Sequence, residues 1–506
     1  MKTGIRSINF LGDLAALLAG AMLPLAFAPF GLFPVAVISL AILFQLWNGV
    51  STRRAFARGW LFGLGFFGVG VSWVQVSIHQ FGLPVLAFSV SATVLFVAIL
   101  SLYPAGVGYL ANRFFSGDER RRFLLVLPAL WTAVEWLKGW FLTGFPWLSL
   151  GYSQIDAPLG GFAPVLGAYG VSLAVAWSAG VLSHIFTVRR IRMLAWLLPL
   201  WGGAWLLGQV PWTEPVQERS LEVALIQGNV QQAIKWEPSE RRAMLDHYMS
   251  LTAPHWGKDL IIWPETAIPE FYAEDSPYVQ ALKAQAKARG TDILVGVPYL
   301  ESREVYYNSV ISLNQGGLYH KRHLVPFGEF MPFEPVLGRF LDFLSIPMSS
   351  FTSGSHDQPL LQAAGQAVGV SVCYEDAFGE EVIDALPEAG LLVNVSNDAW
   401  FGDSLAPHQH LEIARMRALE TGRYLLRATN TGISAIIDEQ GKVIAQSPQF
   451  RSHALMAEVH AYQGATPFVM WGNGAIVLLF SGMLVFALSR RRVGKATCSR
   501  TEVESS

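Results

Sequence analysis

Three residues whose side chains could together perform acyl chemistry lie in the second half of the chain. Cys373 and Glu265 each come shortly after an apolar run, and Lys321 lies in the polar stretch 320–323. A carboxylate can accept the proton of a thiol, and an ammonium can favour the thiolate and stabilise an oxyanion. Taken singly, such a cysteine is as often a buried core residue, and Glu or Lys is more often a surface residue. In combination they predict a thiol-based acyl-transfer site that needs no histidine.

Four linked motifs occur in order along the chain, and the first three each contain one of these residues. They are WPETA at 263–267, YHKRHLVPFGE at 319–329, VCYE at 372–375 and NDAWFG at 397–402. In this order they resemble the nitrilase, or carbon–nitrogen hydrolase, superfamily with its Glu-Lys-Cys triad. Together with the apolar segments described below, the whole chain is similar to the bacterial apolipoprotein N-acyltransferase family of that superfamily.

The resemblance implies a role for each residue of the triad. It makes Cys373 the nucleophile, Glu265 the general base and Lys321 the stabiliser of negative charge. Glu329, in the same motif as Lys321, would be a second carboxylate that holds this lysine or passes the proton.

Three further residues enter the site through the same resemblance. Tyr374 and Glu375 follow the nucleophile directly and would shape its pocket. Trp236, in the stretch QAIKW at 232–236, matches a tryptophan that the family places at the substrate entrance. The sequence shows no departure from the family pattern at these positions.

Alternating strand-like and helix-like segments between residues 212 and 468 predict an α/β domain. The resemblance implies that this domain is a four-layer αββα sandwich. The segment Phe330–Phe351 is rich in Pro, Phe, Leu and Met, and we expect a long apolar loop there that approaches the membrane. Strands are predicted at 221–227, 259–263, 293–297, 307–313, 368–373 and 391–395, helices at 238–253, 276–289 and 408–423, and a hairpin at 433–437 and 442–445.

Composition indicates a membrane protein. Hydrophobic residues make up 52% of the 506 positions and charged residues only 15%, whereas soluble proteins have about 25% charged residues. The net charge of −2 argues against a nucleic-acid-binding protein, which would carry a basic excess. Cys373 and Cys498 are the only cysteines, so no disulfide framework is expected.

Eight apolar segments are long enough, or nearly so, to cross a bilayer. We expect residues 1–211 to form a bundle of seven spans, 212–468 a catalytic domain, and 469–506 an eighth span with a tail. Lys and Arg lie in alternate connections, which places both termini in the cytoplasm and 212–468 in the periplasm of a bacterial inner membrane. The segments are 9–27, 33–49, 59–78, 84–111, 123–141, 162–186, 193–210 and 470–489.

No cofactor or metal is expected. The pattern GLGFFG at 63–68 matches a dinucleotide fingerprint, but it lies inside an apolar span where small residues favour helix packing. His408 and His410 resemble a pair of metal ligands, but residues two apart on a predicted helix face different ways. We therefore do not expect them to bind one metal ion. Glu135 and Lys138 can pair on one helix face. We expect these two residues either to hold parts of the structure together or to contact lipid headgroups.

The resemblance implies a two-step acyl transfer by a monomer. The acyl donor would be a membrane phospholipid, and the acceptor would be the α-amine of the diacylglyceryl-cysteine that begins an apolipoprotein. The first alternative is a membrane-tethered amidase that uses water in place of the amine. The second is an inert binding protein that keeps the fold, although such a protein has no need of Glu265, Lys321 and Cys373 together.

Overall fold

The computed structural model describes residues 2–82, 85–115, 117–216, 220–332 and 350–503, and side chains only between residues 9 and 489 of these. Residues 333–349, most of the apolar loop predicted at Phe330–Phe351, lie outside the described residues. The chain divides into two units. The first comprises Met1–Ser72, Val90–Val210 and Trp471–Ser506, and the second comprises Trp73–Ser89 and Pro211–Met470.

The first unit is built from helices. Its α-helices are Lys2–Met22, Pro34–Leu46, Thr52–Gly70, most of Leu86–Leu100, Leu102–Phe114, Glu119–Arg121, Leu127–Lys138, Ala163–Val188, Leu197–Leu207 and Gly474–Val503. A π-helical stretch at Arg122–Val126 precedes one of them. Short 3-10 helices lie at Leu23–Ala26, Phe141–Thr143, Leu150–Gln154, Pro158–Phe162 and Ile191–Trp196.

Three helical stretches in the described residues are long and apolar enough to cross a membrane: Asn9–Ala26, Leu86–Phe114 and Pro158–Val188. A fourth is added if Thr52–Gly70 and the following Val74–Phe81 count as one broken span. Eight spans are therefore not confirmed. The other predicted spans contain shorter helices. A hydropathy pattern counts apolar residues but does not show where a helix begins or breaks. The remaining apolar helices are shorter, at Pro34–Leu46, Ile191–Leu207 and Gly474–Ser489.

Glycines bring the helices of the first unit into backbone contact. A Cβ atom added at Gly65 would lie 2.2 Å from the carbonyl oxygen of Leu17, and one at Gly20 would lie 2.0 Å from that of Phe62. Helices Lys2–Met22 and Thr52–Gly70 therefore pack where small residues allow it. Within the glycine pattern at 63–68, Gly65 serves this packing, while Gly63 meets Ser101.

Glu135 and Lys138 form a buried clasp. Glu135 Oε1 accepts hydrogen bonds from Trp131 Nε1 at 2.9 Å and from the backbone N–H of Leu150 at 3.1 Å. Lys138 Nζ donates to the carbonyl oxygens of Phe145 and Trp147 at 3.0 and 2.6 Å. These bonds tie helix Leu127–Lys138 to the loop that follows it. Of the two roles predicted for this pair, the contacts favour the structural one.

The second unit contains two six-stranded sheets. Its strands are β1 (Glu214–Pro215), β2 (Leu221–Gln227), β3 (Leu260–Trp263), β4 (Asp292–Ser302), β5 (Val305–Ser312), β6 (Leu318–His320), β7 (Leu361–Ala363), β8 (Gln366–Val372), β9 (Leu391–Ser396), β10 (Leu425–Thr429), β11 (Ala435–Ile437), β12 (Val443–Gln446), β13 (His453–Val459) and β14 (Tyr462–Gln463). One sheet has the order β13-β2-β3-β4-β5-β6 and the other β12-β11-β10-β9-β8-β7, while β1 pairs with β14. The central strands β2-β3-β4 and β8-β9-β10 are parallel.

Helices cover the outer faces of the two sheets. Arg241–Thr252 and Pro277–Arg289 pack on the first sheet, and Ala406–Thr421 packs on the second. The inner faces contact each other through β2 and β10 and through β5 and β8. Helix, sheet, sheet and helix thus follow in four layers, which confirms the predicted nitrilase-like sandwich. Shorter helices of this unit are Val74–Phe81, Ala253–His255, Cys373–Ala377, Gly379–Ile383, Asp398–Phe401 and Pro467–Trp471.

Gln227 joins the two sheets through buried hydrogen bonds. Its side-chain oxygen accepts from the hydroxyls of Ser434 at 2.6 Å, Ser447 at 2.7 Å and Thr429 at 3.3 Å. Its amide nitrogen donates to the carbonyl oxygen of Pro448 at 2.7 Å. Buried polar groups are retained when their bonding capacity is filled, and here the bonds align one sheet on the other.

Residues 73–89 belong to the second unit although they lie early in the sequence. Trp73 Nε1 donates to Gln409 Oε1 at 3.1 Å, and Ser77 Oγ donates to the carbonyl oxygen of Trp400 at 2.7 Å. The ring of Phe81 lies 4.5 Å from that of Trp400. The helix Val74–Phe81 therefore packs against the NDAWFG motif of the second unit.

Candidate active site

Cys373 occupies the first position of a tight turn at the end of strand β8. Its φ of +52° lies in the left-handed region that residues other than glycine rarely adopt. The turn is the 3-10 stretch Cys373–Ala377, and the cysteine is 8% exposed. Strained backbone persists only where its surroundings hold it, and it is concentrated at functional sites. The position suits a nucleophile carried on a rigid strand.

The carboxylate of Glu375 holds this turn against the lysine-bearing segment of the other sheet. It accepts from the backbone N–H of Val372 at 2.6 Å, Arg322 at 2.5 Å and His323 at 3.1 Å. The hydroxyl of Tyr319 donates to both of its oxygens at 3.1 Å. Burial raises the pKa of Glu375 to about 7, and Lys321 and the backbone donors oppose that rise. With four donors on its two oxygens, this one side chain connects two strand ends.

A second buried network joins Lys321 to two carboxyl groups. Lys321 Nζ lies 2.8 Å from Glu329 Oε1 and 2.7 Å from its Oε2. Asn308 Nδ2 donates to Glu265 Oε1 at 2.7 Å and to Glu329 Oε1 at 3.2 Å. Lys321 is 1% exposed and Glu265 7%. The network therefore fixes both side chains in a site that excludes most of the solvent.

The three candidate triad residues are close enough to shift one another's pKa. Burial and Glu265 raise the pKa of the Cys373 thiol, and Lys321 opposes that rise. Burial also raises the pKa of the Glu265 carboxyl, again against Lys321. Burial acts to lower the pKa of Lys321, but Glu329, Cys373 and Glu265 together raise it. The resting site therefore holds a protonated thiol beside a firmly charged ammonium.

One oxygen of Glu265 is available to take a proton. While its Oε1 accepts from Asn308, its Oε2 has no hydrogen-bond partner within the part of the chain that the structure describes. A general base needs such a free acceptor near the proton it removes. The arrangement can therefore support attack by a thiol on an acyl carbon.

Lys235 is a buried neighbour of this site that sequence reasoning missed. Its Nζ donates to the carbonyl oxygen of Glu265 at 3.2 Å. Burial lowers the pKa of Lys235 to about 8, although Glu265 acts to raise it. Its position next to Trp236 in QAIKW was the available signal. Trp236 itself is half-buried in the loop after β2.

Tyr374 lies in an aromatic group next to Cys373. It is 9% exposed, and its ring lies 5.1 Å from that of Phe378 and 5.9 Å from that of His323. The structure thus brings Tyr374 and Glu375 together with the candidate triad and Glu329.

His410 lies in the same region, in a role that the sequence did not suggest. Its Nδ1 is 3.0 Å from Asp398 Oδ1, and its Nε2 is 3.0 Å from Asp376 Oδ1. His408, the other histidine of the pair, is half-buried on the same helix. Both ring nitrogens of His410 are therefore already engaged by carboxylates.

Two family models match the chain. The Apolipoprotein N-acyltransferase N-terminal domain matches residues 19–181, and the Carbon-nitrogen hydrolase model matches residues 222–467. The chain is 48% identical to an apolipoprotein N-acyltransferase of Methylococcus capsulatus, covering 95% of this chain and 96% of that protein. It is 42% identical to one of Vibrio cholerae, covering 96% and 99%. It is 44% identical to one of Nitrosomonas europaea, covering 95% and 98%.

The contacts of Glu375 predict that activity depends on both of its carboxylate oxygens acting as hydrogen-bond acceptors. Glu375→Gln replaces one acceptor oxygen with an N–H donor that faces other donors. We expect acyl transfer to slow by about tenfold to a hundredfold, as for other residues that orient a reacting group, and the thermal midpoint in detergent to fall. Glu380→Gln, on the exposed side of the next helix, is the control. Native activity in Glu375→Gln would show that the carboxylate does not position the turn.

Proposed function

The chain belongs to the apolipoprotein N-acyltransferase family, and on that premise we propose how its candidate active site carries out the reaction. The enzyme transfers a fatty acyl chain from a membrane phospholipid to the α-amine of the diacylglyceryl-cysteine at the start of an apolipoprotein, the last step of lipoprotein maturation. Our proposal is that Cys373 carries the acyl chain between these two substrates. The observation behind it is the strained, buried Cys373 placed among Glu265 and Lys321.

The first half of the proposed reaction acylates the enzyme. Glu265 removes the thiol proton as Cys373 Sγ attacks the ester carbonyl carbon of the phospholipid. Lys321 stabilises the oxyanion of the tetrahedral intermediate, where preorganised donors have their largest effect. The carbon–oxygen bond to glycerol then breaks, and Glu265 returns the proton to the departing oxygen. The products are a thioester on Cys373 and a lysophospholipid.

The second half transfers the acyl chain to the protein substrate. The α-amine of the acceptor cysteine attacks the thioester carbon, and Glu265 takes the proton that the amine loses. Lys321 again stabilises the oxyanion, and the Cys373 thiolate leaves. An amide is formed, and the proton on Glu265 returns to the thiolate.

The remaining site residues support these steps. Glu329 keeps Lys321 charged and in place through the contacts of 2.7 and 2.8 Å. Trp236 and Tyr374 line the path of the lipid substrates. No cofactor or metal takes part in the steps proposed.

We further propose that the protein lies in the bacterial inner membrane as a monomer with eight spans. Both termini are cytoplasmic, and residues 212–468 lie in the periplasm between a seven-span bundle at 1–211 and a last span in 469–506. The supports are the Lys and Arg residues in alternate connections and the positive-inside rule. Both substrates are anchored in lipid, so a catalytic domain held at the bilayer receives them directly.

Supplying one substrate without the other tests the proposed thioester intermediate. With phospholipid and no amine, we expect the enzyme to stop as a thioester on Cys373 after releasing about one lysophospholipid per molecule. Mass spectrometry should show one added acyl chain that hydroxylamine removes. A peptide beginning with diacylglyceryl-cysteine should then discharge the chain into an amide.

Two controls accompany that experiment. Cys373→Ala should remain folded in the membrane and acquire no acyl chain, whereas Cys498→Ser should behave as the native enzyme. Continuous release of fatty acid without acceptor would make water the second substrate and the protein a hydrolase.

Thioester formation should require the ammonium group of Lys321. Lys321→Ala should slow thioester formation by about 10²–10³, the usual effect of removing one oxyanion donor. Lys321→Arg should not restore the rate, because a planar guanidinium does not replace an ammonium packed against Glu329. The half-exposed Lys283 provides a matched Lys→Ala control. Near-native acylation in Lys321→Ala would remove this lysine from the mechanism.

Impermeant thiol labelling in intact cells tests the orientation, with all variants in a Cys498→Ser background. A cysteine at Asp118 should resist the reagent because its loop is proposed to be cytoplasmic. A cysteine at Val216 should react because it begins the periplasmic domain, and permeabilised cells should label both. The opposite pattern would place the catalytic domain in the cytoplasm.

A further inference from the structure

The protonation state of His410 follows from its contacts. Its two ring nitrogens each lie 3.0 Å from a carboxylate oxygen, of Asp398 on one side and of Asp376 on the other. A carboxylate accepts hydrogen bonds and has no proton to give, so both nitrogens must carry one. His410 is therefore an imidazolium. The pKa of His410 agrees: burial and Arg427 act to lower it, yet the two carboxylates raise it to about 9.

Arg427 completes a closed group of four charges. Its Nη1 lies 3.1 Å from Asp376 Oδ2, and its Nη2 lies 3.0 Å from Asp398 Oδ2. Its Nη1 also donates to Asn394 Oδ1 at 2.6 Å. The side chains of the four charged residues are at most 1% exposed. Two positive and two negative charges balance only while His410 keeps its proton, and an unbalanced buried charge is costly.

This group contacts the backbone of Cys373. The carbonyl oxygen of Cys373 lies 3.3 Å from His410 Nε2 and accepts from Asn394 Nδ2 at 3.2 Å. The contacts fix the peptide that follows the strained φ of +52°. Asp398 also acts on the thiol, since its charge raises the pKa of Cys373. Arg427 and His410 offset that charge.

We propose that His410 is a positioning residue for the reaction: its imidazolium holds the carbonyl of Cys373 and neutralises the Asp376–Asp398 pair, so that the thiolate can form. The inference rests on the nucleophilic role of Cys373 proposed above. It goes beyond that role by assigning the thiol's reactivity to a charge that is not part of the triad. Among the described residues, Asp376, Asp398 and Arg427 are charged groups that act on His410, and Glu265, Lys321 and Asp398 act directly on the thiol.

The test measures how fast iodoacetamide alkylates Cys373 at a fixed pH of about 8, near the ordinary cysteine pKa, in purified Cys498→Ser enzyme. His410→Asn leaves two carboxylates against one guanidinium. The thiol pKa should rise by about one unit, so alkylation should be about tenfold slower. The double variant His410→Asn/Asp398→Asn leaves one carboxylate against one guanidinium. Its alkylation should return to within about threefold of the native rate, because the net charge is again zero.

A purely steric role gives a different result. The double variant loses more contacts than the single one, so it would then react no faster, and that outcome overturns the proposal. So does a native rate in His410→Asn. His408→Asn, on the same helix, is the control and should react as the native enzyme. If His410→Asn does not fold while the double variant folds and reacts, charge balance is supported; if neither folds, His410 serves folding alone and the proposal is rejected.

The same preparations separate this proposal from the nucleophile assignment. Alkylation is read by mass on Cys373 and needs no acyl transfer. If fully alkylated enzyme still transfers acyl chains, Cys373 is not the nucleophile, and the proposed function fails on that point. If alkylation abolishes transfer but the variants alkylate at the native rate, only the role of His410 fails.

Discussion

The candidate active site depends on one carboxylate that holds together two strand ends from different sheets. Glu375 accepts backbone hydrogen bonds from Val372, just before Cys373, and from Arg322, just after Lys321. The two sheets contact each other through β2 and β10 and through β5 and β8, and apolar contacts of this kind do not specify register to a fraction of an ångström because the hydrophobic effect is non-directional. Hydrogen bonds to a buried charge are directional and short. Glu375 therefore fixes the relative position of the two strand ends, which apolar packing alone does not. Gln227, the last residue of β2, joins the two sheets through hydrogen bonds in the same way.

The site contains many charges, and several of them form buried ion pairs. Lys321 lies against Glu329, and Arg427 and His410 lie against two aspartates. Buried ion pairs contribute little net stability, since desolvation offsets their attraction, but breaking one is strongly destabilising. Such pairs hold side chains in one arrangement. They also affect the pKa of the Cys373 thiol, because the net charge around the thiol determines how readily a thiolate can form.

Much of the catalytic domain could be predicted because its pattern is local. Largely apolar strands end at Trp263, Val372 and Ser396, and buried parallel strands have near-continuous apolar sequences of this kind. Strand β10, Leu425–Thr429, was not predicted, because Arg427 interrupts its apolar pattern and only its buried partners explain the charge. The predicted number of spans is not confirmed for a related reason: hydropathy reports apolar content, whereas helix length depends on where the backbone breaks.

The sequence by itself determined the family, the nature of the reaction and the residues that could perform it, because motif spacing survives without knowledge of contacts. Only the tertiary structure decided what surrounds them. The left-handed backbone of Cys373, the buried ammonium of Lys235 and the imidazolium of His410 arise from neighbours far away in the chain. His410 is 12 residues from Asp398 and 34 from Asp376. Its proton depends on two carboxylates that meet only when strands β8 and β9 pair and the helix Ala406–Thr421 packs on their sheet, and no local pattern contains that information.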